Sequence, residues 1–178
     1  MKVALLGAPG SGKSVVAERL CQHLGTKIAF ADALRKEVAD VLTPLQGHGV
    51  LRRMADPSTK DLYRPILQQW GMLRREADVD YWVRKLTATI DPIIAIDSNI
   101  TIAVDDCRMP NEYEALRSRG FYFVRLEAGP HLRLQTPEAR AHISEGFWPT
   151  FPVDIVLDYQ PASIQAARIR DAIERGRP

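Results

Sequence analysis

The sequence predicts an α/β fold of three layers, with helices on both faces of a central parallel sheet of five strands. Three observations lead there. Short apolar runs alternate with longer helical stretches along the chain, the pattern of a parallel sheet joined by crossover helices. The first apolar run leads straight into a glycine-rich turn and then a helix. No repeat or low-complexity linker interrupts the 178 residues, so they make one domain with room for insertions.

The elements follow in order. Lys2 to Leu6 is a short strand, apolar on both faces. The next helix carries Val16, Leu20 and Leu24 at four-residue spacing, with Gly25 placed to end it. Lys27 to Ala31 is the second strand, and Asp32 is placed to cap a helix from Ala33 to about Leu42. Pro44, Gly47, Gly49 and Pro57 mark residues 43–60 as a loop or loose helix. Asp61 to Arg75 and Asp80 to Ile90 are two further helices. Ile100 to Val104 is the third strand, Asn111 to Arg119 a helix closed by Gly120, and Phe121 to Leu126 the fourth strand. Residues 128–150 hold prolines, glycines and charges without a steady period, and read as a mobile excursion. Val153 to Leu157 is the last strand. Ser163 to Glu174 is the last helix, with Ala166, Ile169 and Ile173 inward and Gly176 at its end.

Composition narrows the function. With 46% hydrophobic and 26% charged residues the chain is an ordinary globular protein. Its net charge is +2 and its basic residues are spread from end to end, which argues against a nucleic-acid polymer as partner. Cys21 and Cys107 are isolated and match no metal spacing, so a reduced, cytoplasmic setting is expected. The apolar start of the chain is too short for a signal peptide, and no run is long enough to span a membrane.

The chemistry is concentrated in Gly7-Ala8-Pro9-Gly10-Ser11-Gly12-Lys13-Ser14, which matches G-x-x-x-x-G-K-[ST] at every fixed position. It lies where the mechanism needs it, after an apolar strand and at the start of a helix. The glycines let the backbone wrap a phosphate, and the helix N-terminus adds partial positive charge. Lys13 is expected on the β- and γ-phosphates of ATP, and the Ser14 hydroxyl on Mg²⁺. This makes the fold a P-loop NTPase. The Asn-Lys-x-Asp motif by which GTPases read their base is absent, and the length suits a small-molecule kinase.

Ile100 to Val104 ends in Asp105-Asp106-Cys107-Arg108. Ligands of open parallel sheets gather beyond the carboxyl ends of the strands, so both aspartates are expected near the P-loop. Periodicity does not choose which of them holds the metal, directly or through water. Arg108 is placed to bridge donor and acceptor phosphates with its planar fork.

Here a resemblance becomes specific. Over nearly its full length the chain resembles the phage-type deoxynucleoside monophosphate kinases, of the nucleoside-monophosphate-kinase-like P-loop fold. Besides the P-loop, the likeness lies in Phe30-Ala31-Asp32-Ala33-Leu34-Arg35 and in Arg64-Pro65-Ile66-Leu67-Gln68-Gln69-Trp70-Gly71 with Asp80-Tyr81-Trp82-Val83. It continues in Val104-Asp105-Asp106-Cys107-Arg108 with Glu112, and in His142-Ile143-Ser144-Glu145.

The resemblance implies a core of residues 1–31, 98–127 and 151–178, an acceptor-binding helical insertion over about 32–97, and a lid over about 128–150. It implies that Arg35, Arg64 and Arg108 hold the acceptor phosphate, with Asp32 in the same pocket. Gln68 would contact the acceptor nucleoside and Trp82 would wall or stack on it. Asp106 rather than Asp105 matches the magnesium-side carboxylate. A viral source, and hence a host cytoplasm, follows from the resemblance alone. A homodimer is compatible with it.

The expected reaction is in-line transfer of the ATP γ-phosphoryl group to a deoxynucleoside monophosphate, giving the diphosphate for DNA precursor supply. The attacking phosphate oxygen is already ionised at neutral pH and needs no general base. One or both of Arg133 and Arg140 on the lid are expected to enter on closure and neutralise charge on the transferring group. Other readings are a kinase for another small acceptor (dephospho-coenzyme A, phosphomevalonate or shikimate) and a regulatory module that binds ATP without catalysis.

Overall fold

A computed structural model describes residues 1–56, 58–129 and 144–176. Five strands form one sheet: β1 (Lys2–Leu6), β2 (Gly25–Ile28), β3 (Thr101–Val104), β4 (Tyr122–Leu126) and β5 (Ile155–Leu157). Their order is β2-β3-β1-β4-β5 and every pairing is parallel, as expected from the alternation of strands and helices. β1 is therefore central, and the strand order reverses on either side of it. That reversal opens a crevice at its carboxyl end, where the P-loop begins.

The chain divides into two compact units, Met1–Ile28 with Ile90–Pro178, and Ala29–Thr89. In the first unit one face of the sheet carries Val3, Leu5, Ala103, Val124, Leu126 and Leu157. They pack with Val16, Ala17 and Leu20 of α1 (Lys13–Cys21) and with Ala166 and Ile169 of the C-terminal helix (Ala162–Arg175). Val3 to Leu6 are at most 1% exposed, which is why β1 shows no polar alternation.

The second unit contains α2 (Phe30–Gln46), α3 (Val50–Ala55), α4 (Lys60–Ala77) and the first turns of α5 (Tyr81–Ile96). Its centre is Val38, Ala39, Val50, Met54 and Tyr63, bordered by Leu34, Leu42, Ile66, Leu67 and Trp70. Residues 43–60, expected to be largely irregular, hold the end of α2 and all of α3.

Back in the first unit, α6 (Pro110–Arg117) leads into β4. A short helix α7 (Ser144–Phe147) and a 3₁₀ turn (Trp148–Thr150) precede β5, and α8 (Ala162–Arg175) closes the chain.

One local expectation fails for a clear reason. Leu24 is 86% exposed and lies beyond α1, which stops at Cys21. Gly25 opens β2 instead of ending the helix. A Cβ at Gly25 would stand 2.9 Å from the Cα of Cys21 and 2.9 Å from both the Cβ and the carbonyl oxygen of Thr101. The glycine is there to let the edge strand pass close to α1 and β3. The strand consequently starts two residues earlier than expected, and Phe30 already belongs to α2.

Candidate functional site

The P-loop connects β1 to α1. Gly7, Gly10 and Gly12 have φ of 147°, 81° and 90°. The left-handed backbone at Gly12 turns the chain into the helix, and a side chain there would be strained. At Gly7 space decides as well: a Cβ would lie 2.6 Å from the Leu126 carbonyl oxygen and 2.6 Å from the Ser11 hydroxyl. The Ser11 hydroxyl is buried and has no hydrogen-bond partner among the described residues.

Lys13 folds back over the loop. Its ammonium donates to the carbonyls of Gly7 (2.6 Å) and Ala8 (2.8 Å). Among the described residues no side chain caps the start of α1. The first N–H groups of any helix lack intrahelical acceptors, so this end suits an anion. A lysine, a helix end and a wrapped backbone thus converge at the P-loop.

At the end of β3 the two aspartates differ in their surroundings. Ser14 donates its hydroxyl to Asp105 Oδ2 at 2.6 Å, and Asp105 is only 7% exposed. The resemblance favoured Asp106, but it is Asp105 that the structure sets against the Ser14 hydroxyl. Asp106 is half-buried on the neighbouring position. Hydroxyl and carboxylate oxygens are the donors Mg²⁺ prefers, so Ser14 and Asp105 fit a magnesium ion arriving with nucleotide phosphates.

Arg108 follows on a tethered loop. Its backbone N–H and that of Met109 both donate to Glu112 Oε2, at 2.8 and 3.1 Å. Glu112 is 2% exposed and reaches back from the third position of α6 in the manner of a capping box. Cys107 in the same loop is 3% exposed, and burial pushes its thiol well up, with the charges of Glu112 and Asp106 adding to the effect.

The residues assigned to the acceptor lie on the helical unit. Asp32 Oδ2 accepts the Ala29 N–H at 2.8 Å, so it caps α2 from inside the first turn rather than ahead of it. Its other oxygen pairs with Arg35 at 2.9 Å. Arg64 pairs with Asp61 at 2.8 Å and is exposed, as is Gln68 one turn on. Trp82 differs from the role the resemblance gave it. It is 3% exposed, its indole N–H donates to the Gly71 carbonyl at 3.1 Å, and its ring meets Tyr81 edge-on. That is the placement of a core residue. Arg133 and Arg140, with residues 130–143 of the expected lid, lie outside the described residues.

Of this region the sequence reading missed Lys27, named Glu112 without a role, and left Asp105 as one of two choices. Lys27 is a single lysine in an edge strand, and its neighbours in the sequence give no hint of its contacts. Glu112 carried a signal, since Pro110 and a glutamate two residues later mark a helix start. Asp105 was paired with Asp106 as an open choice, because Ile102, Ala103 and Val104 are all buried and no alternation shows which face follows.

No family model matches the chain, and no curated protein matches it. Among solved structures it is similar to a shikimate kinase from Aquifex aeolicus vf5, with a TM-score of 0.52 and 13% identity over 98% of this chain and 96% of that one. It is also similar to an unliganded sugar kinase from Janibacter sp. HTCC2649, with a TM-score of 0.54 and 17% identity over 98% of this chain and 94% of that one. At these identities the likeness shows the fold alone, over 98% of this chain.

Proposed function

We propose that the chain is a P-loop phosphotransferase that moves the γ-phosphoryl group of MgATP to a small phosphorylated acceptor, a deoxynucleoside monophosphate. The observation that carries this reading is the pairing of Ser14 with the nearly buried Asp105 beside a P-loop already covered by Lys13. The two structural neighbours are named as kinases, which supports the reaction class. The acceptor rests on the resemblance of Arg35, Arg64, Gln68 and Arg108 to the nucleotide-kinase pattern.

Each residue then has a task. The backbone of Gly7 to Ser14 holds the β-phosphate, and Lys13 leaves its carbonyl partners for the phosphate oxygens. Ser14, donating its hydroxyl to Asp105, would hold Mg²⁺ through its oxygen. Bound Mg²⁺ would supply charge neutralisation across the β- and γ-phosphates. Arg108 spans the two phosphate groups, held at its backbone by Glu112. Catalysis is positioning and charge neutralisation, with no proton to abstract from an ionised acceptor phosphate.

The test is ADP release from MgATP with each deoxy- and ribonucleoside monophosphate in turn. Turnover should depend on a deoxynucleotide and fall at least ~100-fold in Lys13→Ala. Shikimate and simple sugars belong in the same assay, because the neighbours' names point to alcohol acceptors. Turnover with an alcohol alone would move the acceptor to that class. ATP hydrolysis indifferent to every acceptor would remove the kinase reading.

A further inference from the structure

Lys27 lies on β2, opposite Ala103 in the parallel register of β2 and β3. Its ammonium stands 3.4 Å from Asp105 Oδ2 and 3.3 Å from Glu18 Oε1 of α1. The oxygen it approaches is the one that accepts the Ser14 hydroxyl. One carboxylate oxygen therefore serves a hydroxyl and an ammonium at once, in a residue that is 7% exposed.

That arrangement has a physical reason. A carboxylate so far from water needs a counter-charge or several donors around it. Lys27 supplies that counter-charge. The contact also settles an orientation. With Oδ2 held between Lys27 and Ser14, the serine proton has one place to go, and the lone pairs of the serine oxygen point away from the carboxylate.

We propose that Lys27 is a positioning residue of the nucleotide site: it holds Asp105 so that the Ser14 oxygen is oriented for the metal ion that accompanies ATP. Its effect belongs to the metal-dependent part of nucleotide binding and not to the phosphate grip of the P-loop. Glu18 acts behind it as a lever on α1, sharing the ammonium from the solvent side, where its side chain is 65% exposed. This proposal rests on the reading of the site as an MgATP site.

The experiment measures ATP binding by equilibrium dialysis, once with excess Mg²⁺ and once with EDTA, on the full chain. The quantity read is the ratio of the two affinities. In Lys27→Met the ratio should fall by about tenfold, as for other residues that orient a metal ligand, while the affinity in EDTA is unchanged. Lys27→Arg keeps the charge and should restore most of the ratio. Lys27→Gln repeats the test should the methionine variant fail to fold. A ratio equal to or above that of the unaltered chain overturns the proposal, and so does a loss of equal size with and without Mg²⁺, which would mark a structural role. If the unaltered chain itself binds ATP with no dependence on Mg²⁺, the site reading falls, and the positioning role with it.

Discussion

Glu112 shows how one buried side chain can govern a loop it does not belong to. Its Oε2 takes two successive backbone N–H groups, so the chain between Asp105 and Pro110 has little freedom to rotate. A buried donor left without an acceptor costs about 1–3 kcal/mol. Glu112→Ala orphans two of them, and the expected loss of stability by urea denaturation is about 2–4 kcal/mol. Glu112→Gln keeps an acceptor oxygen, and the expected loss is about 1 kcal/mol. Equal losses in the two variants would mean that the carboxylate charge holds the loop and that neither side-chain volume nor a neutral acceptor oxygen replaces it. The same scale holds the limits of reading a sequence. The motif from Gly7 to Ser14 is legible because each of its fixed positions, Gly7, Gly12, Lys13 and Ser14, is a requirement of chemistry. The choice between Asp105 and Asp106 is not, since it depends on which face of β3 meets α1, and that face appears only when β3 has neighbours.

At the scale of elements, Glu37 ties the helical unit together. From α2 it accepts the Trp70 indole N–H of α4 at 3.1 Å and the Tyr81 hydroxyl of α5. Arg74 donates to it at 3.2 Å and lies over the Trp70 and Tyr81 rings, with Lys85 3.4 Å away. Burial alone would raise the Glu37 carboxyl. The hydrogen bonds from Tyr81 and Trp70 and the charges of Arg74 and Lys85 outweigh it, and the pKa lies below its ordinary 4.5. A depressed carboxylate stabilises the fold fully above the unfolded value, and that contribution is lost as pH falls through the folded one. Glu37→Gln should therefore cost about 2 kcal/mol at pH 7, read by urea denaturation, and the gap from the unaltered chain should narrow as pH drops below 4.5. A gap independent of pH would show that the carboxylate charge contributes nothing. Helices were the easier elements to read, because their apolar period survives small errors at the ends. β2 was harder. Its start is set by the close pass of Gly25 against Thr101, a contact between residues 76 apart in sequence, as their numbers give.

At the scale of the whole molecule, parallel topology was legible from the alternation of elements, and the order β2-β3-β1-β4-β5 was not. Strand order depends on which crossovers return to which side of β1, and connections of similar length serve several orders. The division into two compact units has a thermodynamic consequence that can be measured. A ligand that binds only folded protein stabilises by about 2.7 kcal/mol at one hundred times its Kd, which for a chain of this size raises Tm by about 5 to 10 °C. MgATP should produce that shift in the unaltered chain and none in Lys13→Ala. Should the two units melt separately, only the transition of the sheet-bearing unit should move, since the P-loop and Asp105 both belong to it. A shift that survives Lys13→Ala would place the nucleotide elsewhere.

The buried thiol in the Asp105–Met109 loop has a use outside phosphate chemistry. Alkylating reagents attack the thiolate, and Cys107 in the folded chain offers neither an accessible sulfur nor an easily lost proton. Cys21 is half-buried and remains the more accessible of the two cysteines. Modification of Cys107 therefore has to wait for the loop to open, and its rate is a clock for that opening written into the chain without any added label.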